Sequence, residues 1–357
     1  MNNPYKEPKF YYDSDPNGNI DYTKIKPGRR PYGYRINIVP GNPDISMSSQ
    51  DNFESNDPNA EFINGIRKEV KEWREAGYPK SSRITKELLD DWFCNPDRQN
   101  NLKLFFCQRE AVETAIWLNE IAEKDPNIGS LILRQLMERC HTVSANDEDI
   151  LPRTAFKMAT GTGKTVVMAM LILYNYLNKR ANPQDIRYAD HFLICAPGIT
   201  ISDRLNVLQL DNNQYAMNDY YHQRGLIPRQ FEKELGGLNS NITIINFQQF
   251  LPRVFSGKHA SPMDGKLVYQ NGELVKQKDT ESYSVMLNRI LEKGVKGKRM
   301  IVINDEAHHC YLPKKSKNHV RMPIRKRAAQ FAPFLPLLAT KKLLKKLRES
   351  RKRRLPK

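Results

Sequence analysis

The chain has 357 residues, 39% of them hydrophobic, which suits about two domains built around one good core. No run approaches the roughly 18 consecutive apolar residues of a membrane span, and the start, MNNPYKEPKFYYD, has no signal-type apolar stretch, so a soluble, cytoplasmic protein is expected. The net charge of +17 sits almost wholly in the segment from Lys314 onward, where 17 Lys and Arg face the single acid Glu349; the rest is nearly neutral, so bulk charge alone does not argue for nucleic acid.

Residues 1–60 are rich in Asn, Asp, Pro, Gly and Ser, with Phe10, Tyr11, Tyr12, Tyr32 and Tyr34 interleaved, and read as largely irregular, with one short strand over YRINIVPG. A helical lead-in follows over 61–125. Phe62, Ile63, Ile66, Val70 and Trp73 fall at helical spacing before the stop signal Gly77. A second helix is expected over 85–93, with Leu88, Leu89 and Trp92 on one side, and a third over 108–123, carrying Ala111, Ala115, Trp117, Leu118 and Ile121.

From there strands and helices alternate. RTAFKM reads as a short strand that ends in a glycine loop, and KTVVMAMLILYNYLNKR as a helix apolar on most sides. HFLICAP, NITIINF and RMIVIND read as buried strands. This alternation predicts an α/β fold with a doubly wound, mostly parallel sheet and a ligand at the carboxyl ends of its strands. The pattern lapses over 253–298, which reads as an insertion with a hairpin at KLVYQNGELV, its turn at Asn271-Gly272. The five cysteines have no CxxC spacing, so neither a zinc ribbon nor a disulfide framework is supported.

Two motifs carry chemistry. The first is MATGTGKT, residues 158–165. Gly161 and Gly163 let backbone N–H groups of the loop, with Thr160 and Thr162, turn inward around phosphates, and a helix opening at Lys164 aims its positive end at them. Lys164 reaches the β- and γ-phosphates, and Thr165 offers a hydroxyl to Mg²⁺. Met158 stands where the general phosphate-loop pattern has Gly. The second is IVINDEAH, residues 301–308, a hydrophobic strand that delivers Asp305 to hold Mg²⁺ through its water shell and Glu306 to orient and deprotonate a water.

Together, MATGTGKT and DEAH resemble motifs I and II of superfamily 2 DEAD/DEAH-box helicases. Weaker pieces fall in the matching order. FFCQR, residues 105–109, is similar to the adenine-reading glutamine motif; it implies that Gln108 bonds the adenine edge and that Phe105 or Phe106 packs on the ring. APGIT, residues 196–200, resembles motif Ia and implies nucleic-acid phosphate contacts from Gly198 and Thr200, with Arg204 adding charge. IINFQ, residues 244–248, resembles the later strand-end motif and implies the same for Asn246 and Gln248. Within the superfamily these segments look most like the restriction subunit of type III-like systems.

That resemblance implies a RecA-like P-loop NTPase domain over 126–315, ATP and Mg²⁺ as cofactors, and an ATPase or helicase motor acting on DNA, double-stranded in the relatives, beside a modification methyltransferase subunit. The second RecA-like domain, its arginine-finger motif and a nuclease signature are missing from the sequence, so hydrolysis by this chain alone is expected to be weak. The basic tail, 316–357, has two readings: the out-of-frame end of a truncated gene, which is favoured, or a nucleic-acid-binding arm. The arm supports the alternative function, a non-catalytic nucleic-acid-binding protein.

Overall fold

The computed structural model describes residues 2–14, 19–32, 59–141, 154–210, 219–250, 253, 266–270, 273–276, 281–291 and 299–306. They divide into two compact units. The expected strand over YRINIVPG, the last two residues of the motif IVINDEAH and the basic tail lie outside the described residues.

The first unit is mainly helical. It opens with an antiparallel hairpin of β1 (Phe10–Ser14) and β2 (Ile20–Pro27), in a segment whose composition predicts irregular chain. Four helices follow among the described residues: α1 (Ala60–Glu75), α2 (Arg83–Leu89), α3 (Phe106–Ile116) and α4 (Ile128–His141), the last in this unit up to Arg139. The glycine stop works as expected. Tyr78 N donates to Trp73 O and Gly77 N to Arg74 O, with Gly77 at φ 76°, the paired bonds of a Schellman ending. Ser82 caps α2 by accepting from Thr85 N at 3.0 Å. α2 and α3 each run on into a π-helical turn, Asp90–Cys94 and Trp117–Ile121. Leu88, Leu89, Trp92, Val112 and Ile116 form a core that is almost fully closed to water.

The glycine loop and the start of α5 (Lys164–Ala181) belong to this unit, up to Tyr174. The expected strand over RTAFKM is not found: residues 154–158 form no strand. A strand exists only where a ladder partner accepts its N–H groups. Every paired strand of the parallel sheet lies in the second unit, whereas 156–158 fall in the first.

The second unit contains β3 (His191–Ala196), α6 (Ile199–Leu205), α7 (Tyr220–Gln223), β4 (Ile242–Asn246), β5 (Leu267–Gln270), β6 (Glu273–Lys276), α8 (Tyr283–Ile290) and β7 (Met300–Asn304). The three strands read as buried form a parallel sheet in the order β4-β3-β7. The central β3 is buried along its whole length, as its unbroken apolar run requires. Leu193, Cys195 and Ile245 pack with Phe250, Met286 and Ile290 of the following segments. β5 and β6 make the expected hairpin, with Gln270 opposite Glu273 across a two-residue connection. The described residues are thus α/β with a parallel sheet of three strands.

Candidate functional site

In the first unit, Gly161 and Gly163 both take the left-handed conformation, φ 78° and 80°, immediately ahead of α5. Other residue types rarely adopt this backbone, so the two glycines produce the turn. Thr162 braces it: its hydroxyl donates to Ala159 O at 2.7 Å. Val166 N and Val167 N both donate to Gly163 O, so the helical ladder begins there. The N–H groups ahead of a helix's first ladder bond have no acceptor within the helix, and the dipole adds positive potential at the same end. Nothing stands within 4 Å of the position a side chain on Gly161 would take. An open turn of glycines at a helix start fits a phosphate group, as the sequence predicts for residues 160–165. Lys164 and Thr165 are half-buried on the first turn of α5, and Thr160 is exposed.

Gln108 comes to this loop from α3. Its Nε2 donates to Thr162 O at 3.0 Å, and its Oε1 accepts from Phe105 N at 2.8 Å. The second bond is half of a capping box, with the residue at the third helical position reaching back to the cap. A carbonyl needs a donor and an N–H needs an acceptor, so the two bonds fix which end of the amide is oxygen and which nitrogen. One hydrogen on Nε2 and one lone pair on Oε1 remain for a ligand. Gln108 is buried, and a methyl group on Gly163 would lie 2.1 Å from its Nε2.

The two phenylalanines separate. Phe106 is buried, with the guanidinium groups of Arg29 and Arg74 over its ring at 5.6 and 5.3 Å. Phe105 is half-buried and stacks on Tyr5, with centroids 5.4 Å apart.

α3 is held by buried charge. Glu113 accepts from Arg74 Nε and Arg109 Nε, both at 2.7 Å, and from the Tyr78 hydroxyl at 2.6 Å. Burial, then the Glu113 carboxylate, push the Tyr78 phenol well above its usual range. For Arg109, burial works to lower the pKa, but Glu113 and Tyr78 outweigh it and the guanidinium is held above its ordinary value. Arg29, paired with Glu110, is brought down to about 10 by burial and then by the neighbouring charge of Arg67. Glu120, also buried, accepts from the Thr85 hydroxyl at 2.8 Å and from Lys124 at 3.2 Å. The Arg109–Glu113 and Glu120–Lys124 pairs, both four residues apart, are the local traces of these contacts in the sequence.

In the second unit, the remaining predicted residues follow the carboxyl ends of the strands along the chain. Ala196 is in register with Asn246, and Cys195 with Asn304, so all three strands end level. Beyond β7, Asp305 N still donates to Cys195 O at 3.0 Å, and Asp305 Oδ1 accepts from Glu306 N at 3.1 Å. Glu306 lies at φ 51°, left-handed backbone that is uncommon outside glycine and clusters at functional turns. Gly198, in extended backbone, caps α6, whose Thr200 and Arg204 are exposed. Asn246 is half-buried and accepts from Gln249 N at 3.2 Å, and Gln248 is exposed. Gly198, Asn246, Gln248, Asp305 and Glu306 thus stand at or just after the carboxyl ends of the three strands, and Thr200 and Arg204 follow on α6 in the same unit. Among the described residues, no group of three His, Cys, Asp or Glu stands together as a metal site. No described helix is long and apolar enough to cross a membrane.

Compared with known families, residues 101–340 match the family model described as "Type III restriction enzyme, res subunit". No curated protein and no solved structure matches the chain.

Proposed function

The chain belongs to the type III restriction enzyme res-subunit family, a family of helicase superfamily 2, and from this we propose that it is an ATP-binding, DNA-dependent ATPase motor. The observation that carries the proposal is the left-handed glycine turn at 161–163, which opens α5 at Lys164 and is gripped by Gln108 through Thr162. The domain over 126–315 is RecA-like, and its parallel sheet is part of a doubly wound one.

The residues take the following roles. Backbone N–H groups of 160–163 cradle the phosphates, and Lys164 reaches the β- and γ-phosphates as a point charge. Gln108, with one donor and one acceptor still available, matches the edge of adenine, which offers an amino donor beside the N7 acceptor; guanine offers two acceptors there. Thr165 supplies a hydroxyl oxygen and Asp305 a carboxylate oxygen, the hard donors that suit Mg²⁺. Mg²⁺, when bound, neutralises charge on the β- and γ-phosphates. Glu306 orients the attacking water and takes its proton. Gly198, Thr200, Arg204, Asn246 and Gln248 lie along the edge that meets DNA phosphates, and DNA, double-stranded, is the proposed partner beside a modification methyltransferase subunit. The proposed setting is the cytoplasm.

Equilibrium binding of Mg·ATP and DNA-stimulated phosphate release test this reading. Lys164→Ala should lose nucleotide binding, while Glu306→Gln should keep binding and lose turnover. A chain that binds no nucleotide, or a Lys164→Ala variant that binds like the parent, overturns the assignment.

A further inference from the structure

We propose that the N-terminal strap, residues 2–9, sets the base end of the nucleotide site, with Tyr5 as a positioning residue acting through Phe105 and Gln108. The inference rests on the nucleotide-binding reading above.

The strap is a closed turn in its own right. The Asn2 carboxamide accepts from Lys9 N at 3.1 Å and donates to Phe10 O at 2.7 Å, and Asn3 Oδ1 accepts from Tyr5 N at 2.9 Å. It is tied to two helices. Glu7 pairs with Lys71 at 3.4 Å and Arg74 at 3.8 Å, both on α1. Pro4 O accepts from Phe106 N at 2.8 Å, satisfying one of the N–H groups that the start of α3 leaves without an internal partner. The neighbouring orphan, Phe105 N, is the group that holds Gln108 Oε1. The strap and Gln108 therefore cap the same helix end on adjacent residues, and the Tyr5 ring stacks on Phe105 between them.

This placement has a consequence for base choice. Gln108 discriminates only while its amide keeps one orientation, and that orientation depends on where Phe105 N points. Tyr5 packs on Phe105, one of the two residues whose backbone sets it, and is 41% exposed, so the stack forms an outer wall rather than core. Loss of the ring leaves the phosphate loop's own glycine turn intact while freeing Phe105. The phosphate and base contributions to binding should thus separate.

The test measures dissociation constants for ATP, GTP and inorganic tripolyphosphate on the full chain and on Tyr5→Ala, Tyr5→Leu and Tyr5→Phe. Tyr5→Ala should weaken ATP roughly three- to tenfold, the scale of one aromatic pair. It should leave tripolyphosphate unchanged and shrink the ATP-over-GTP preference. Tyr5→Phe should behave as the parent. Tyr5→Leu, which keeps the apolar cover but not the stack, should follow Tyr5→Ala and serves if the alanine variant does not fold. Unchanged ATP and GTP binding in the folded variants overturns the inference, as does parallel weakening of ATP and tripolyphosphate. A parent chain that binds no nucleotide overturns the nucleotide reading and this inference with it; binding that ignores Tyr5 overturns the inference alone.

Discussion

Substituting the two loop glycines by alanine should have unequal costs, and the inequality isolates the Gln108 contact. Both glycines sit near φ 80°, where an L residue is disfavoured by about 1–2 kcal/mol. At Gly161 that strain is the whole cost, because nothing lies within 4 Å of the added methyl. At Gly163 the methyl would sit 2.1 Å from Gln108 Nε2, so the amide must withdraw and its bond to Thr162 O is lost. A typical hydrogen bond contributes about 0.5–1.5 kcal/mol, and a buried polar group left unpaired costs about 1–3 kcal/mol. Gly163→Ala should therefore destabilise by about 1–3 kcal/mol more than Gly161→Ala. Denaturant melts of both single variants, repeated in a Gln108→Ala background, close the cycle. With the amide gone, the two alanine variants should become nearly equal. Equal costs in the parent background, or a difference that survives Gln108→Ala, would refute the assigned role of the contact.

Three further outcomes follow from the same geometry. Glu113→Ala leaves Arg74 and Arg109, with side chains 12% and 23% exposed, without their carboxylate, and should cost about 3–5 kcal/mol in a denaturant melt; a loss under about 1 kcal/mol would show that the network does not hold α3. Hydrogen bonding from Arg187 holds the Asp185 carboxyl below its ordinary value of 3.8. A depressed folded pKa gives stability that is complete above 3.8 and disappears as pH falls through the lower folded value, so Arg187→Ala should flatten stability against pH on that acid limb, and an unaltered acid titration would contradict it. Arg204→Ala should weaken DNA binding uniformly across sequences and reduce the slope of log affinity against log salt by about one, with Mg·ATP binding unchanged; an unaltered slope would remove Arg204 from the DNA edge.

Local signals in the sequence translated well into structure. Gly77 ends α1 because only the left-handed turn satisfies the last carbonyls. The apolar runs at 191–196, 242–246 and 300–304 became the three parallel strands, but only the central one is buried throughout; β4 and β7, on its two sides, are partly exposed. The spacing of β5 and β6 followed from their two-residue connection. What depends on distant pairing was less legible. RTAFKM has a strand's composition, but its described residues, 154–158, join no ladder among the described strands. α4 went unread because Ile128 and Leu131 are exposed, which blurs the stripe around buried Ile132. The β1–β2 hairpin was hidden because Phe10, Tyr12, Tyr22 and Ile25 face solvent, against the usual alternation. Gln108 was legible as a motif residue, but its bond to Thr162 spans 54 positions and Tyr5 lies 100 positions from Phe105, separations that no local pattern encodes.

The division of labour between the two units follows from these contacts. The groups proposed to fix the base end lie in the helical unit: the glycine turn, the Gln108 amide, the strap, and the buried Glu113 and Glu120 carboxylates that hold α3 and the turn after it. An amide aimed by two backbone groups on a helix locked by buried ion pairs loses little freedom when a ligand arrives, and such preorganisation favours selectivity. The carboxylates Asp305 and Glu306 and the residues proposed to face DNA belong instead to the other unit, where Glu306 takes its direction from a turn. On the proposed function, substitutions in the helical unit should therefore alter which nucleotide is chosen. Substitutions along the sheet edge should alter whether a chosen nucleotide is hydrolysed and whether DNA is held. A variant of the strap or of α3 that left base preference intact yet abolished DNA binding would break that partition.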